Sequence, residues 1–398
     1  MNEKMYMDLE NTYGALNYNP LPVVLERGKG VWVWDTEGNK YMDMLSSYSA
    51  LNQGHTHPKI IQALTDQAER LTLTSRAFYN NKLGAFLEKL TKTCGMEKAL
   101  PMNSGAEGVE TAVKCARRWG YMKKGIPENK AEIIVCENNF HGRTTTVISF
   151  STEADYKKGF GPFTPGFIAI PFNDIAALEK AITPNTAAFL VEPIQGEAGV
   201  YVPNDGYLKK AYDICKKNNV LFIADEIQTG FGRTGKLFAC QYENVQPDIF
   251  VLGKALGGGV FPVSAIVSSA EILSVFTPGS HGSTFGGNPL AASIGLAAIE
   301  IILNENLTQN SYEMGLMLMK KLKTLKNPHI KEVRGKGLLI GLEFKPHDKT
   351  ARQYCEALQK EKILCKETHD SIIRFAPPLV INKDEITWAF DRIEKVIG

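Results

Sequence analysis

Asp225 and Lys254 are the residues of this 398-residue chain whose types and settings best suit chemistry. Asp225 ends the apolar run 220–224, and Lys254 follows a second apolar run, 249–252, and precedes Ala255, Leu256 and three glycines. Short apolar runs that stop at polar groups are the mark of buried parallel strands, and in open α/β sheets ligands sit at the carboxyl ends of such strands. Two strand ends can therefore offer a carboxylate and a desolvated amine to one crevice. Such an amine forms a Schiff base with an aldehyde, and the carboxylate holds a pyridine nitrogen protonated so that the ring takes up carbanion charge; the pair suits pyridoxal phosphate. Each residue also has a plainer reading, a solvated surface lysine and a helix-capping Asp. The apolar, glycine-rich setting of Lys254 argues against the first. The segment is not a P-loop, because Ala255 stands where Ser or Thr must ligate magnesium.

Other residues could complete a site. Ser104 and Glu107 form a capping box for a helix whose buried stripe is Val109, Ala112, Val113 and Ala116. The N–H groups of Gly105 and Ala106 at its start suit a phosphate, although every helix has such an end. Phe140 could lie on a cofactor ring and Arg143 could meet a carboxylate; a core aromatic and a surface cation are the alternatives. Ser283 and Thr284, in the loop HGSTFGGNP, offer hydroxyls for a phosphate or for their own backbone. His55 and His57 lack further ligands at metal-binding spacing and read as turn residues, so no metal is expected.

The elements that must position these groups follow from periodicity. Residues 31–34, a turn at 37–39 and Tyr41 onward predict an antiparallel hairpin, with Tyr18, Ser47 and Tyr48 in loops around it. Pro58 opens a helix with Ile60, Ile61, Leu64, Ala68 and Leu71 on one face. Strands are expected at 133–136, 147–150 and 187–191, the last followed by Glu192 and PIQGE. A helix over 207–217 leads back to residue 220, and strand, helix, strand at this spacing is a right-handed crossover in a parallel sheet. Then come a strand in PVSAIVSS, a long helix, an amphipathic helix from Leu307, a strand over 331–344, another helix and SIIRFAPPLVI. The expected architecture is α/β. A large domain of mostly parallel sheet flanked by helices spans 49–285, and a smaller α+β domain is built from both chain ends, 1–48 and 286–398.

Composition narrows the class. The chain is 44% hydrophobic and 22% charged with a net charge of +2, a balance that supports neither nucleic acid nor an anionic membrane as partner. Seven cysteines, without a C-x-x-C pair, read as reduced thiols of a cytoplasmic protein. The N-terminus lacks a signal-peptide pattern, and residues 285–303 read as a buried helix. No G-x-G-x-x-G lies at a strand-to-helix junction, which argues against a nucleotide-binding oxidoreductase.

The motifs NYNPLP, LSSYSALNQGH, LTSRAFYNN, NSGAE, NFHGRT, EPIQGEAG, FIADEIQTG, LGKALGGG, HGSTFGGNP, RGKGLL and IIRFAPPLVI run through nearly the whole chain. In this order they resemble the class III aminotransferases of pyridoxal phosphate fold type I. ADEIQTG and LGKALGGG carry the family, and the tyrosine motifs are similar to those of members that act on ornithine. The resemblance implies that Lys254 carries the cofactor and shuttles a proton, that Asp225 pairs with the pyridine nitrogen and Gln228 with the ring hydroxyl, and that Phe140 stacks on the ring. Gly105, Ala106 and, from a neighbouring subunit, Thr284 would hold the phosphate, which makes a homodimer with a shared site the smallest active unit. Arg143 with Tyr18 would bind the α-carboxylate of L-ornithine, while Glu197 masks Arg374 until 2-oxoglutarate enters. The implied reaction moves the δ-amino group to 2-oxoglutarate and gives L-glutamate 5-semialdehyde and L-glutamate. His141 departs from that pattern: animal members acting on ornithine have Trp there, and members acting on acetylornithine share FHGR. Tyr18 and Tyr48 point the other way, since they would crowd an acetyl group, and they also disfavour 4-aminobutyrate. Intact Lys254, Asp225, Arg143 and Arg374 oppose a cofactor-binding relative without turnover.

Overall fold

Near the N-terminus β1 (Leu25–Lys29), β2 (Trp32–Asp35) and β3 (Lys40–Asp43) form the antiparallel meander that the alternation predicts. Asp35 closes its turn by accepting from the N–H groups of Glu37 and Asn39. These elements belong to a computed structural model that describes residues 2–398.

A seven-stranded sheet carries the site. It comprises β4 (Lys98–Met102), β5 (Glu132–Cys136), β6 (Phe167–Ile170), β7 (Thr186–Val191), β8 (Leu221–Asp225), β9 (Ile249–Leu252) and β10 (Ser264–Ser268), in the order β4-β10-β9-β8-β7-β5-β6. Strand β10 runs antiparallel to both neighbours; the pairs from β6 to β9 are parallel. All residues of β7, β8 and β9 are buried. Their side chains alternate between two cores: Leu221 and Ile223 pack with the helix Gly105–Trp119, while Phe222 and Ala224 face the larger core that includes the helix Tyr207–Lys217. Burial on both faces is why these strands read as unbroken apolar runs.

The C-terminal part supplies β11 (Ile330–Lys336), β12 (Leu339–Phe344), β13 (Ile363–Leu364), β14 (Lys366–Thr368) and β15 (Ile372–Phe375). Four of them form a sheet in the order β11-β12-β15-β14, and β13 pairs parallel with β3, so the two chain ends share a sheet. The helix Pro289–Asn304, capped by Asn288, is buried along most of its length. No single helix among the described residues is long and apolar enough to cross a membrane.

Two expected strands are corrected. Residues 331–344 are two strands, because Gly337 turns the chain at φ +54, where a Cβ would meet the Thr234 backbone at 2.3 Å. Residues 147–150 fall in and after a short helix, Thr145–Ser149, capped by Thr144 Oγ1 accepting from the Val147 N–H at 3.3 Å. Val147 and Phe150 pack into the core beside the Gly105–Trp119 helix, and so short an apolar run fits either element.

Candidate active site

The carboxyl ends of β7, β8 and β9 open on a cavity lined by Gly105, Ala106, Phe140, Asp225, Gln228 and Lys254. Asp225, the last residue of β8, is 4% exposed. Its Oδ1 accepts from the Ile227 N–H at 3.0 Å, and its Oδ2 lies 2.6 Å from His141 Nδ1. Burial alone would lower the pKa of His141, but the hydrogen bond and charge of Asp225 override it and the net shift is upward. The other ring nitrogen, Nε2, is buried without a hydrogen-bond partner. Glu192 follows β7 as Asp225 ends β8. It accepts from the Phe140 N–H at 3.0 Å, and burial pushes its carboxyl up to about 7.

Lys254 enters the cavity from the turn after β9. Its φ of +46 is left-handed, an uncommon conformation for a residue with a Cβ. Burial lowers its pKa against the pull of Glu197 and Asp225. Across the cavity the expected capping box is present: Ser104 Oγ accepts from the Glu107 N–H at 3.2 Å, and Glu107 Oε2 accepts from the Ser104 N–H at 2.7 Å. Gly105 and Ala106 line the cavity with N–H groups that have no acceptor within their helix. A desolvated amine, a buried carboxylate, two helix-start N–H groups and the half-buried Phe140 form a donor set that fits pyridoxal phosphate.

Gln228 links this cavity to a second group of charges. Its Nε2 donates to Glu197 Oε1 at 3.0 Å, and the same oxygen accepts from Arg374 Nη1 at 2.7 Å. Arg374 is 2% exposed and Glu197 22%. Burial would raise the Glu197 carboxyl, but the charges of Arg374 and Lys254 hold it at about 2. Arg374 Nε is buried and unpartnered. A Cβ on Gly196 would meet Gln228 Oε1 at 1.8 Å, so a larger residue there would displace the Gln228 amide from this position.

The Arg374 guanidinium lies 5.1 Å from the centre of the Tyr48 ring. Tyr48 is not in an ordinary loop, as expected, but in the turn Ser46–Ser49, whose four residues have φ of 45, 47, 59 and 75°. Left-handed backbone costs about 1–2 kcal/mol per residue with a Cβ, so this turn is held by its surroundings. Arg143 is exposed and stacks 3.5 Å from the Tyr156 ring centre; Tyr18 is 74% exposed and shares a neighbouring cavity with Tyr48. Ser283 and Thr284 are not at the first cavity: Ser283 Oγ accepts from Asn103 Nδ2 at 2.8 Å, and Thr284 is exposed. His55 bonds Asp43 at 2.8 Å and His57 bonds Glu305 at 3.2 Å.

Residues 13–397 match the family model for class-III aminotransferases. The chain belongs to that family. This aminotransferase is 63% identical over 385 residues to an ornithine aminotransferase of Brevibacillus brevis, covering 97% of this chain and 96% of that one. A Geobacillus ornithine aminotransferase is 62% identical over 390 residues, with 98% and 97% covered. Among solved structures, the ornithine aminotransferase of Toxoplasma gondii superposes with a TM-score of 0.98 at 46% identity, covering 100% of this chain and 95% of that one. The acetylornithine aminotransferase of Elizabethkingia anophelis superposes at 0.92 with 53% identity, covering 100% and 99%. The aminotransferase is pyridoxal phosphate-dependent, as the family and one Toxoplasma structure with partial PLP occupancy indicate.

Three residues of the aminotransferase were not read from its sequence as site residues. Glu192 carried a usable signal: the register pairs Val191 with Ala224, so two adjacent apolar runs break at a carboxylate in the same row. The contact of His141 with Asp225 spans 84 positions, and no local pattern announces it. Arg233 is fully buried although it lies in a glycine-rich stretch that reads as loop.

Proposed function

We propose that this aminotransferase moves the δ-amino group of L-ornithine to 2-oxoglutarate, giving L-glutamate 5-semialdehyde and L-glutamate. The observation that carries the reading is the Glu197–Arg374 pair beside the Tyr48 ring, since a site for two unlike acids needs a cation that can be masked. Both curated relatives described above are named ornithine aminotransferases.

Bound pyridoxal phosphate supplies an electrophilic aldehyde and a ring that accepts carbanion charge. Lys254 Nζ holds the cofactor and, as an amine of lowered pKa, takes a proton from the amine-bearing carbon of the substrate and returns it. Asp225, held by His141 Nδ1, would keep the pyridine nitrogen protonated. Gln228 orients the ring hydroxyl, Phe140 covers the ring face, and Gly105 and Ala106 bind the phosphate through their N–H groups. Arg143 and Tyr18 grip the α-carboxylate of L-ornithine, so the δ-amine reaches the reacting centre. Glu197 neutralises Arg374 during that half of the cycle and leaves it for the second acid, which then lies between Arg374 and Arg143. Tyr48 narrows the space beside Arg374.

The working unit in this reading is a homodimer, in which Thr284 completes the neighbouring subunit's phosphate site. That Thr284 is exposed and does not line the cavity of its own chain supports it. Residues 1–48 and 286–398 act as one smaller domain on 49–285, supported by the β13–β3 pairing, and the enzyme works in the cytoplasm, supported by seven free cysteines.

A second reading, with N-acetylornithine as donor, is favoured by the 53% identity to the Elizabethkingia enzyme and by His141. The deciding experiment is a single-turnover half-reaction. Holoenzyme is mixed separately with L-ornithine, N-acetylornithine and 4-aminobutyrate, without oxo acid, while the cofactor absorbance is followed. Fast conversion by L-ornithine alone is expected; conversion mainly by N-acetylornithine would replace the first reading with the second.

A further inference from the structure

Arg233 is fully buried, yet none of its acceptors is a carboxylate. A guanidinium carries five N–H donors in a rigid fork. All five are used here. Nε and Nη2 donate to Asn52 Oδ1, Nη2 also to Ser46 Oγ at 2.9 Å, and Nη1 to the carbonyls of Leu338 at 3.0 Å and Pro377 at 2.6 Å. One side chain therefore ties the segment 46–52 to the segment that follows β15.

The same two segments are cross-linked around it. Ser46 Oγ donates to the Ala376 carbonyl at 2.6 Å, the Ala376 N–H to the Met44 carbonyl at 2.7 Å, and the Leu379 N–H to the Asn52 carbonyl at 2.9 Å. Between the anchors Ser46 and Asn52 lies the left-handed turn bearing Tyr48, and two residues before Ala376 lies Arg374. The turn contains no glycine, so its own sequence does not favour its backbone.

We propose that Arg233 is a positioning residue for substrate choice: its five-bond clamp holds the left-handed turn Ser46–Ser49 so that Tyr48 stays against Arg374 and the enzyme selects the δ-amine over the α-amine. The inference rests on the roles given above to Tyr48 and Arg374. Lysine cannot substitute, because an ammonium offers three donors from one point and cannot span four separated acceptors. Ser46→Ala removes one acceptor of the clamp and the link to Ala376 and leaves the other four bonds of Arg233 in place.

The test uses holoenzyme of the unaltered protein, Arg233→Lys and Ser46→Ala. After a single turnover with L-ornithine, the two isomeric products of δ- and α-transfer are separated and quantified. The ratio of δ- to α-product is expected to fall roughly tenfold in Arg233→Lys and about threefold in Ser46→Ala, because selectivity reports differences between two modes of binding. Hydrogen exchange at the Ala376 and Leu379 amides is expected to quicken in step. An unchanged ratio in both variants overturns the proposal, even where the rates of both products fall together, since that pattern belongs to a purely structural residue. If Arg233→Lys does not fold, the ratio in Ser46→Ala decides. If the unaltered enzyme is inactive with L-ornithine, the functional reading fails by itself. The clamp is then judged by the discrimination of the same variants between N-acetylornithine and 4-aminobutyrate: reduced discrimination supports it and unchanged discrimination overturns it.

Discussion

The floor and the rim of this site are built in opposite ways. The floor uses consecutive strand ends: Glu192 after β7 and Asp225 at the end of β8 stand in one row because parallel strands in register deliver equivalent positions to the same edge, and Lys254 follows at that edge three residues beyond Val251, the β9 partner of Asp225. The rim draws Tyr48, Glu197, Gln228 and Arg374 from distant parts of the chain and holds them with buried polar bonds and a strained turn. Strand ends bring the groups that act on a cofactor shared by a whole family to one edge, with left-handed backbone only at Lys254. Choosing one substrate needs groups set at odd angles, and irregular backbone must be stabilised from outside. The comparison predicts that damage to the floor removes catalysis, whereas damage to the rim redirects it.

The largest effect expected is at the floor. Lys254→Ala should lower multiple turnover by roughly four orders of magnitude, because among the described residues no other amine lines the cavity to bind the cofactor or move the proton. Steady-state assay after dialysis checks this, and retained turnover would end the assignment of Lys254. At the rim, Glu197→Ala should leave turnover measurable while the preference for the δ-amine over the α-amine collapses by about tenfold or more, since Arg374 becomes a free carboxylate binder. Product analysis decides it; an unchanged preference means that Glu197 is not the mask.

A third measurement separates electrostatics at the floor from packing. The fold raises the Glu192 carboxyl from 4.5 to about 7, so the native state holds the proton more tightly than the unfolded chain. The contribution of Glu192 to stability is therefore fully present below pH 4.5 and is lost as pH rises through about 7, by about 3 kcal/mol at most. Glu192→Gln should flatten this slope while keeping an acceptor for the Phe140 N–H; urea unfolding at pH 5 and pH 8 reads it, and an equal slope in both proteins refutes it. The smallest effect belongs to the most exposed rim residue. Tyr18→Ile should weaken L-ornithine only a few-fold more than 4-aminobutyrate in kcat/KM, because Tyr18 is 74% exposed. Equal losses for both donors would remove Tyr18 as a selector.

Local sequence was enough for Asp225 and Lys254. The apolar runs that stop at Asp225 and before Lys254, the capping box at Ser104 and the crossover between β7 and β8 are short-range patterns, and each appears in the structure where it was expected. The two misread strands failed where periodicity is weakest. Residues 147–150 are too few to have a period, and the break in 331–344 depends on Gly337 turning against the Thr234 backbone, a contact about a hundred positions away.

What the chain determined by itself is therefore the set of strand ends and helix starts, since hydrogen bonds within a few residues and burial of apolar runs fix those. What only the tertiary structure decided is how charges from remote segments meet: Asp225 with His141, Glu197 with Arg374, and Arg233 with acceptors from three segments. A buried polar group must find partners wherever packing brings them, and nothing near it in the sequence encodes which partners those are.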